Sequence, residues 1–190
     1  MPACFYPLVV RSSAPRKFSG ESQLYAAALR ALMRRAHSVH EMKEYLKLRA
    51  ENADDAAAVL QRLKEQSYID DARYAREYAR SHAQGRRQGK FRIARELRAR
   101  GVPDKHIEAA LEAIFAETDE KALVRARMER KLRSVRGPLD EKKRASIYRS
   151  LLRAGFSADA IRTELGAATK RGGLAENDSE TLTEEGGCDS

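Results

Sequence analysis

The chain has 190 residues, of which 34% are charged and 42% hydrophobic, with no Trp and with 37 Lys and Arg against 28 Asp and Glu. This balance is typical of exposed amphipathic helices, and it disfavours both a β-sheet protein and a single thick core. Residues 171–190 have a net charge of −5, so the remainder of the chain carries +14. Such a charge favours polyanionic partners, either nucleic acid or an acidic protein surface.

The two ends of the chain lack helical periodicity. Residues 1–20 mix Pro, Ser and Gly, and residues 169–190 are Gly-rich and acidic, so we predict two disordered tails. The two cysteines, Cys4 and Cys188, lie in opposite tails, which argues against a disulfide framework or a metal site. The apolar segment Phe5 to Val10 is short, interrupted by proline and followed by its positive charges, so it is a poor signal peptide. No apolar run approaches the roughly 20 residues that cross a bilayer, and we expect a cytoplasmic protein without membrane contact.

Between the tails one helical pattern recurs three times. Each copy has two apolar residues four apart, then a small residue, then two more apolar residues at matching spacings. The three sets are Met42, Leu46, Ala50, Ala56 and Leu60; Ile93, Leu97, Gly101, Ile107 and Leu111; and Ile147, Leu151, Gly155, Ile161 and Leu165. Apolar residues four apart indicate one buried helix face, so the pattern predicts an all-α fold. Gly101 and Gly155 suit a left-handed helix C-cap, which Ala50 fits less well.

Helix starts are marked as well. Ser38 and Glu41 have the spacing of a capping box, Pro103 suits an early helical position, and Ser157 suits an N-cap. Each copy also has an earlier helix, near residues 22–36, 71–84 and 119–134. We therefore predict three tandem three-helix repeats, at residues 21–68, 69–117 and 118–168.

The junction into the second repeat is the segment Tyr68, Ile69, Asp70 and Asp71, followed by Arg73 and Tyr74. If Asp70 is the N-cap, Ile69 and Tyr74 have the spacing of a hydrophobic staple. Asp71 then lies at the positive end of the helix dipole. We predict a structural role for these residues.

The densest basic stretch covers residues 86–100. On a helical wheel Ile93, Ala94 and Leu97 point one way, while Arg92, Arg95 and Arg98 gather on the far side with Phe91. A solvated helix face is the ordinary interpretation of such a run. Because only Glu96 interrupts the bases, we favour a partner-binding surface that continues onto the third repeat. Its predicted residues are Arg86, Arg87, Lys90, Arg92, Arg95, Arg98, Arg127, Arg130, Lys131, Lys142, Lys143 and Arg149.

Motifs for catalysis are missing from the sequence. The segment Gly85 to Phe91 faintly resembles a phosphate-binding loop, but its spacing is one residue short and Phe91 stands where Ser or Thr would bind Mg²⁺. The histidines, His37, His40, His82 and His106, have no zinc-binding spacing, and no nucleophile turn is present. We therefore expect a protein that is not an enzyme and has no catalytic residue, metal or cofactor.

Two stretches of this sequence resemble the RecX family, regulators of the RecA recombinase. Residues 35–46, Arg-Ala-His-Ser-Val-His-Glu-Met-Lys-Glu-Tyr-Leu, are similar to that family's pattern R.HS..EL...L. Residues 59–75, Val-Leu-Gln-Arg-Leu-Lys-Glu-Gln-Ser-Tyr-Ile-Asp-Asp-Ala-Arg-Tyr-Ala, are similar to its signature VL..L...GYLDD.RFA. Ser67 stands where Gly is usual before Tyr68, and Ala50 replaces a common Gly, two departures that concern the local turn geometry.

The resemblance implies an elongated, curved array of three-helix repeats that lies in the groove of the RecA–DNA filament. It implies a monomer that curbs RecA's ATP hydrolysis and strand exchange, in DNA repair, the SOS response and homologous recombination, without chemistry of its own. The RecA filament is then the partner, and single- or double-stranded DNA is a further candidate. A second hypothesis stays open because of the +14 charge: a sequence-independent nucleic-acid-binding helical array with no RecA target.

Overall fold

The computed structural model describes residues 17–133 and 140–177, with side chains as far as residue 170. Within these residues the chain forms nine α-helices, one π-helical turn at Ser81–Gly85 and no strand, which confirms the predicted all-α fold. The helices are α1 Glu21–Arg34, α2 Val39–Arg49, α3 Ala53–Glu65, α4 Asp71–Arg80, α5 Lys90–Ala99, α6 Asp104–Ala116, α7 Glu120–Leu132, α8 Glu141–Arg153 and α9 Ala158–Asn177. The chain divides into two compact units, residues 1–70 and 71–190.

Helices α1, α2 and α3 form the core of the first unit. Its largest fully buried side chains include Leu24, Met42 and Leu46. The predicted capping box at the start of α2 is confirmed: the Glu41 amide donates to Ser38 Oγ at 3.0 Å, and the Ser38 amide donates to Glu41 Oε2 at 3.2 Å. Two amides that the helix leaves without an internal partner are thereby satisfied.

The end of α2 is formed by an extended segment in place of a left-handed cap. Ala50 has φ −76° and ψ 141°, and it forms an isolated parallel bridge with Phe18. The Phe18 amide donates to the Arg49 carbonyl at 2.8 Å, and the Glu51 amide donates to the Phe18 carbonyl at 3.3 Å. Phe18 also packs against the first core. It belongs to the segment predicted as a disordered tail, of which residues 1–16 lie outside the described residues.

The second unit contains two cores. Helices α4, α5 and α6 surround the second core of the protein, and α7, α8 and α9 surround the third. Two of the repeat positions are buried in every copy, as predicted: Met42, Ile93 and Ile147 at one position, and Leu46, Leu97 and Leu151 at the next. At the later positions Ala56, Leu60 and Leu111 are partly buried. Ile69, which we placed at the start of the second repeat, packs in the first core.

The helix ends in the second unit follow the predicted chemistry closely. Gly101 and Gly155 have φ values of 71° and 88°, which confirms both left-handed caps. The Ala160 amide donates to Ser157 Oγ at 3.4 Å, so Ser157 is the expected N-cap of α9. Pro103 lies one residue outside α6, as its N-cap with ψ 140°, because the fixed φ of proline suits an extended residue as well as a helical one.

Helix α5 is attached through its backbone to the turn after α8. The Gly89 amide donates to the Ala154 carbonyl at 2.8 Å, and the Phe91 amide donates to the Gly155 carbonyl at 3.1 Å. A Cβ on Gly89 would collide with the carbonyl of Gly155, and a Cβ on Gly155 would collide with the backbone of Arg92. The carbonyl end of α8 thus satisfies the amide end of α5, where the partial charges of the two helices are opposite. The arrangement holds α5 against the third core.

The C-terminal segment predicted as an acidic tail is partly helical. Residues 169–177 continue α9, whose last helical residue is Asn177. Residues 178–190, with Cys188 and most of the acidic groups, lie outside the described residues.

Candidate partner-binding surface

Helix α5 separates core residues from exposed ones as the wheel predicts. Ile93, Ala94 and Leu97 are buried in the second core, whereas Arg95 and Phe91 are exposed. The ring of Phe91 is 59% exposed, a large value for an aromatic side chain. The inward face of α5 is therefore confirmed, and the outward face carries a mixed basic and aromatic surface.

Arg92 is engaged within its own helix. Its Nε donates to Glu96 Oε1 at 2.7 Å, and the Tyr78 hydroxyl donates to Glu96 Oε2, also at 2.7 Å. Burial opposes ionisation of Glu96, but the hydrogen bonds from Tyr78 and Arg92 and the charge of Arg92 outweigh it and hold the pKa of Glu96 below its ordinary value. Part of the positive charge of Arg92 is thus compensated inside the protein.

A cluster of aromatic rings with the guanidinium of Arg100 lies next to the Arg92–Glu96 pair. His82 stacks on Tyr78 with ring centroids 3.7 Å apart, and the two share a hydrogen bond between His82 Nδ1 and the Tyr78 carbonyl at 2.9 Å. The guanidinium of Arg100 lies 5.0 Å from the centre of the Tyr78 ring and donates to the Tyr74 hydroxyl at 3.2 Å. Burial, with the hydrogen bond to Glu96, raises the pKa of Tyr78. The cluster ties α4 to α5 and fixes the orientation of the basic face.

The other arginines of α5 differ in how far they are neutralised. Arg98 Nε lies 2.6 Å from Asp104 Oδ1, with both side chains more than half exposed. Arg95 is exposed and has no hydrogen bond or ion pair with the part of the chain that the structure describes. Lys90 Nζ lies 5.3 Å from the centre of the Phe91 ring. Arg95 is therefore the arginine of this helix best placed to meet an external anion.

Arg127 has a structural contact that its predicted role did not include. Its Nη1 donates to the carbonyls of Arg86 and Arg87, each at 3.2 Å. Burial, and then the charges of Arg130 and Arg92, lower the pKa of Arg127. Arg127 thus holds the turn that carries Arg86 and Arg87, whose side chains are exposed. The two hydrogen bonds bring Arg127 together with Arg86 and Arg87, and Arg92 and Arg130 lie close enough for their charges to act on the Arg127 guanidinium.

The remaining predicted surface residues lie on α7 and α8. Lys131 Nζ lies 3.1 Å from Ser150 Oγ, and Lys143 Nζ lies 3.7 Å from Asp140 Oδ2. Lys142 and Arg149 are exposed on α8.

The residues of the predicted junction, Tyr68 to Tyr74, differ in how far they are buried. Tyr68 is 49% exposed, Ile69 is buried in the first core, and Tyr74 is buried in the second. Helix α4 begins at Asp71, as expected if Asp70 is its N-cap. Arg73 is exposed on the first turn of α4.

Sequence reasoning missed the contacts that join distant segments. The pairing of Gly89 with Gly155 had no signal beyond a glycine before a helix. Arg125 forms a bidentate pair with the buried Glu164, at 2.9 and 3.0 Å, across 39 positions of sequence. Among the described residues there is no group of three or more His, Cys, Asp or Glu placed to hold a metal ion. None of the described helices combines the length and hydropathy of a membrane span.

Comparison with known proteins identifies related chains. Residues 25–63 match the first three-helix domain of RecX, and residues 70–111 match its second three-helix domain. A protein of Halorhodospira halophila named Regulatory protein RecX is 39% identical over 142 residues, which cover 75% of this chain and 86% of that protein. A Chromobacterium violaceum protein of the same name is 34% identical over 142 residues, covering 75% of this chain and 88% of that protein.

A comparison with solved structures agrees with the comparison of sequences. The crystal structure of RecX from Lactobacillus salivarius superposes with a TM-score of 0.66 at 25% identity, over 80% of this chain and 97% of that one. The similarity therefore extends over both the sequence and the three-dimensional fold.

Proposed function

The chain belongs to the RecX family of regulatory proteins, and from this premise we propose that it binds the RecA–DNA filament and lowers its ATPase and recombinase activities. The observation that carries the proposal is the match to two successive RecX domains, the second of which contains α5 and its basic face. The protein acts as a cytoplasmic monomer that modulates DNA repair and recombination and contributes no chemistry of its own.

The basic surface supports this proposal physically. A nucleoprotein filament is a repeating anionic lattice, and exposed arginines such as Arg86, Arg95 and Arg130 match phosphates and carboxylates equally well. Contacts made from several helices of one chain add through effective concentration, so that modest individual contacts suffice. If the bound protein prefers one filament conformation, it shifts the filament population and slows ATP turnover.

The direct test is a titration of RecA and single-stranded DNA with this protein while ATP hydrolysis is measured. We expect turnover to fall at substoichiometric amounts of the protein with DNA in excess. Unchanged turnover across the whole titration would contradict the proposal.

A pair of double variants locates the surface. Arg86→Glu/Arg95→Glu reverses two exposed charges, one in the turn before α5 and one on α5 itself. We expect it to weaken inhibition by about tenfold, since charges at an interface control association. Arg76→Glu/Lys105→Glu is the matched control, with the same change in net charge at exposed positions on α4 and α6. Equal losses in the two variants would mean that net charge, and not the α5 face, determines binding.

The charge of the folded part favours a second candidate, a nucleic-acid-binding array without a RecA target. This function predicts tight DNA binding by the protein alone, with affinity that falls steeply as salt rises. DNA binding combined with no effect on RecA's ATP turnover would select this candidate over the first.

A further inference from the structure

A second basic site lies on the surface of the third repeat, where the described residues that line it belong to α8 and α9. These helices border an open cleft of about 570 Å³, a size within the usual range of ligand sites. Its lining includes guanidinium groups and a small apolar floor. They are Arg144, Arg149, Arg162, Ala145, Leu165 and Gly166.

The three arginines are available to an external anion. The side chains of Arg144 and Arg149 are exposed and have no hydrogen bond or ion pair with the described part of the chain. Arg162 Nη1 lies 3.0 Å from Asp159 Oδ1, with side chains 67% and 94% exposed. An ion pair so exposed is weak because solvent screens it, so a ligand carboxylate can replace Asp159.

A glycine in the lining of the cleft, Gly166, also points to an occupant. It lies in the interior of α9, where glycine is less favourable than alanine. A Cβ at this position would meet nothing within 4 Å, so packing inside the protein does not require a glycine. Because Gly166 lines the cleft, the missing side chain leaves room there for an atom group from outside.

The other lining residues favour a peptide over a nucleic-acid strand. Tyr148 is the aromatic residue of the lining, and it packs against the third core, which limits the ring face available for stacking with a base. Glu141, also in the lining, repels phosphates and carboxylates alike, but it can accept a hydrogen bond from a peptide amide. Leu165 is 6% exposed and offers an apolar floor.

We propose that this α8–α9 cleft binds an acidic peptide segment of a partner protein. Carboxylates of the segment pair with Arg144, Arg149 and Arg162, and one apolar side chain occupies the space over Gly166. Arginine favours this geometry because its planar fork binds a carboxylate through two hydrogen bonds. The inference goes beyond the proposed function, because it stands on the third core alone and holds whether or not RecA is the partner.

The test measures fluorescence anisotropy of the full chain with a labelled peptide of four Glu-Glu-Leu triplets. A peptide of four Lys-Lys-Leu triplets and a labelled oligo(dT) serve as the other probes. The key variant is Gly166→Leu, which fills the cleft without changing the charge, and its matched control is Ala167→Leu, at an exposed neighbouring position of α9 outside the lining. We expect the Glu-Glu-Leu peptide to bind about tenfold more weakly to Gly166→Leu and unchanged to Ala167→Leu, since the filled cleft excludes its apolar side chain.

Arg149→Ala provides a test by charge, and we expect a loss of about five- to tenfold for the same peptide. Equal affinity of Gly166→Leu and the parent chain overturns the inference, as does a parent chain that does not bind the Glu-Glu-Leu peptide. Loss of oligo(dT) binding in Gly166→Leu with peptide binding retained overturns it in favour of a nucleic-acid strand. Because RecA is absent from the assay, none of these results bears on the ATPase proposal.

Discussion

The ends of α2 and α8 occupy equivalent places in the repeat, yet they are built from different residues. After α2, Ala50 is extended with φ −76°, and Phe18 pairs along the chain beside it. After α8, Gly155 is left-handed with φ 88°, and the backbone of Gly89 lies directly against it. The comparison teaches that glycine is required where a neighbour approaches the Cα itself, whereas alanine suffices where the neighbour pairs with an extended segment.

The largest effect expected from this comparison is that of Gly155→Ala. The added Cβ combines left-handed strain with a collision against Arg92, and we expect a loss of about 3–4 kcal/mol in the free energy of unfolding. Gly101→Ala, at φ 71°, introduces left-handed strain at the equivalent cap of the second repeat and should cost about 1–2 kcal/mol. Urea denaturation followed by circular dichroism measures both. Equal losses would show that the contact with α5 contributes nothing to the requirement for glycine.

The opposite side of the comparison is tested by Phe18→Ala. Phe18 packs on the first core, so removing its ring should cost about 2 kcal/mol in the first unit. Lys17→Ala, at the exposed neighbouring position, is the control and should have little effect. Hydrogen exchange resolved by peptide should show faster exchange around Glu51 in the Phe18 variant. An unchanged exchange rate there would mean that the bridge to Ala50 does not depend on the Phe18 ring.

The first unit also has a left-handed residue that is not a glycine. Ser67 has φ 57° at the position where the RecX signature has glycine. Ser67→Gly should stabilise the first unit by about 0.5–1 kcal/mol, because relief of left-handed strain exceeds the added freedom of the unfolded chain. Lys64→Gly, inside α3, should destabilise the unit by about 1 kcal/mol. A loss of stability in both variants would contradict this account of the turn.

The smallest expected effect is a dependence of stability on pH, and it affects both units. Burial lowers the pKa of His37 in the first unit and of His82 in the second below the ordinary value of 6.5. Their unfolded forms therefore bind protons more readily than the folded ones, so stability is full above pH 6.5 and declines as pH falls below it. The charges of Arg86 and Arg100 lower the pKa of His82 further, whereas Glu96 opposes them.

The measurement is the melting temperature of the protein at pH 7.5 and at pH 5.5. We expect a small fall in Tm at the lower pH, reduced in His37→Gln/His82→Gln. A parent chain with a higher Tm at pH 5.5 would contradict the assigned direction of both shifts.

Local patterns in the sequence predict the helices and their caps well. The capping box at Ser38, the N-cap at Ser157 and the glycine caps at 101 and 155 each depend on a few neighbouring residues, and the structure contains all of them. The burial of Ile93 and Leu97 likewise follows from helical spacing alone. These features are predictable because their physical causes act within one or two helical turns.

Contacts between distant segments could not be predicted in this way. The bridge of Phe18 to Ala50 and the approach of Gly89 to Gly155 depend on how helices pack, which a single-sequence pattern does not contain. The sequence predicted where positive charge is concentrated on the surface. It did not predict which of those side chains have a partner inside the protein. Arg98 illustrates the difference, because its partner Asp104 belongs to the following helix.

The position of Arg127 affects how a genetic screen of this protein would be interpreted. A substitution there removes the two hydrogen bonds that hold the carbonyls of Arg86 and Arg87, and so it disorders the presentation of their side chains. Such a mutant would have the phenotype of a lost contact residue although the lost contact is internal. Suppressors of that mutant would therefore be expected in the turn at residues 86–88, and not on the surface of the partner.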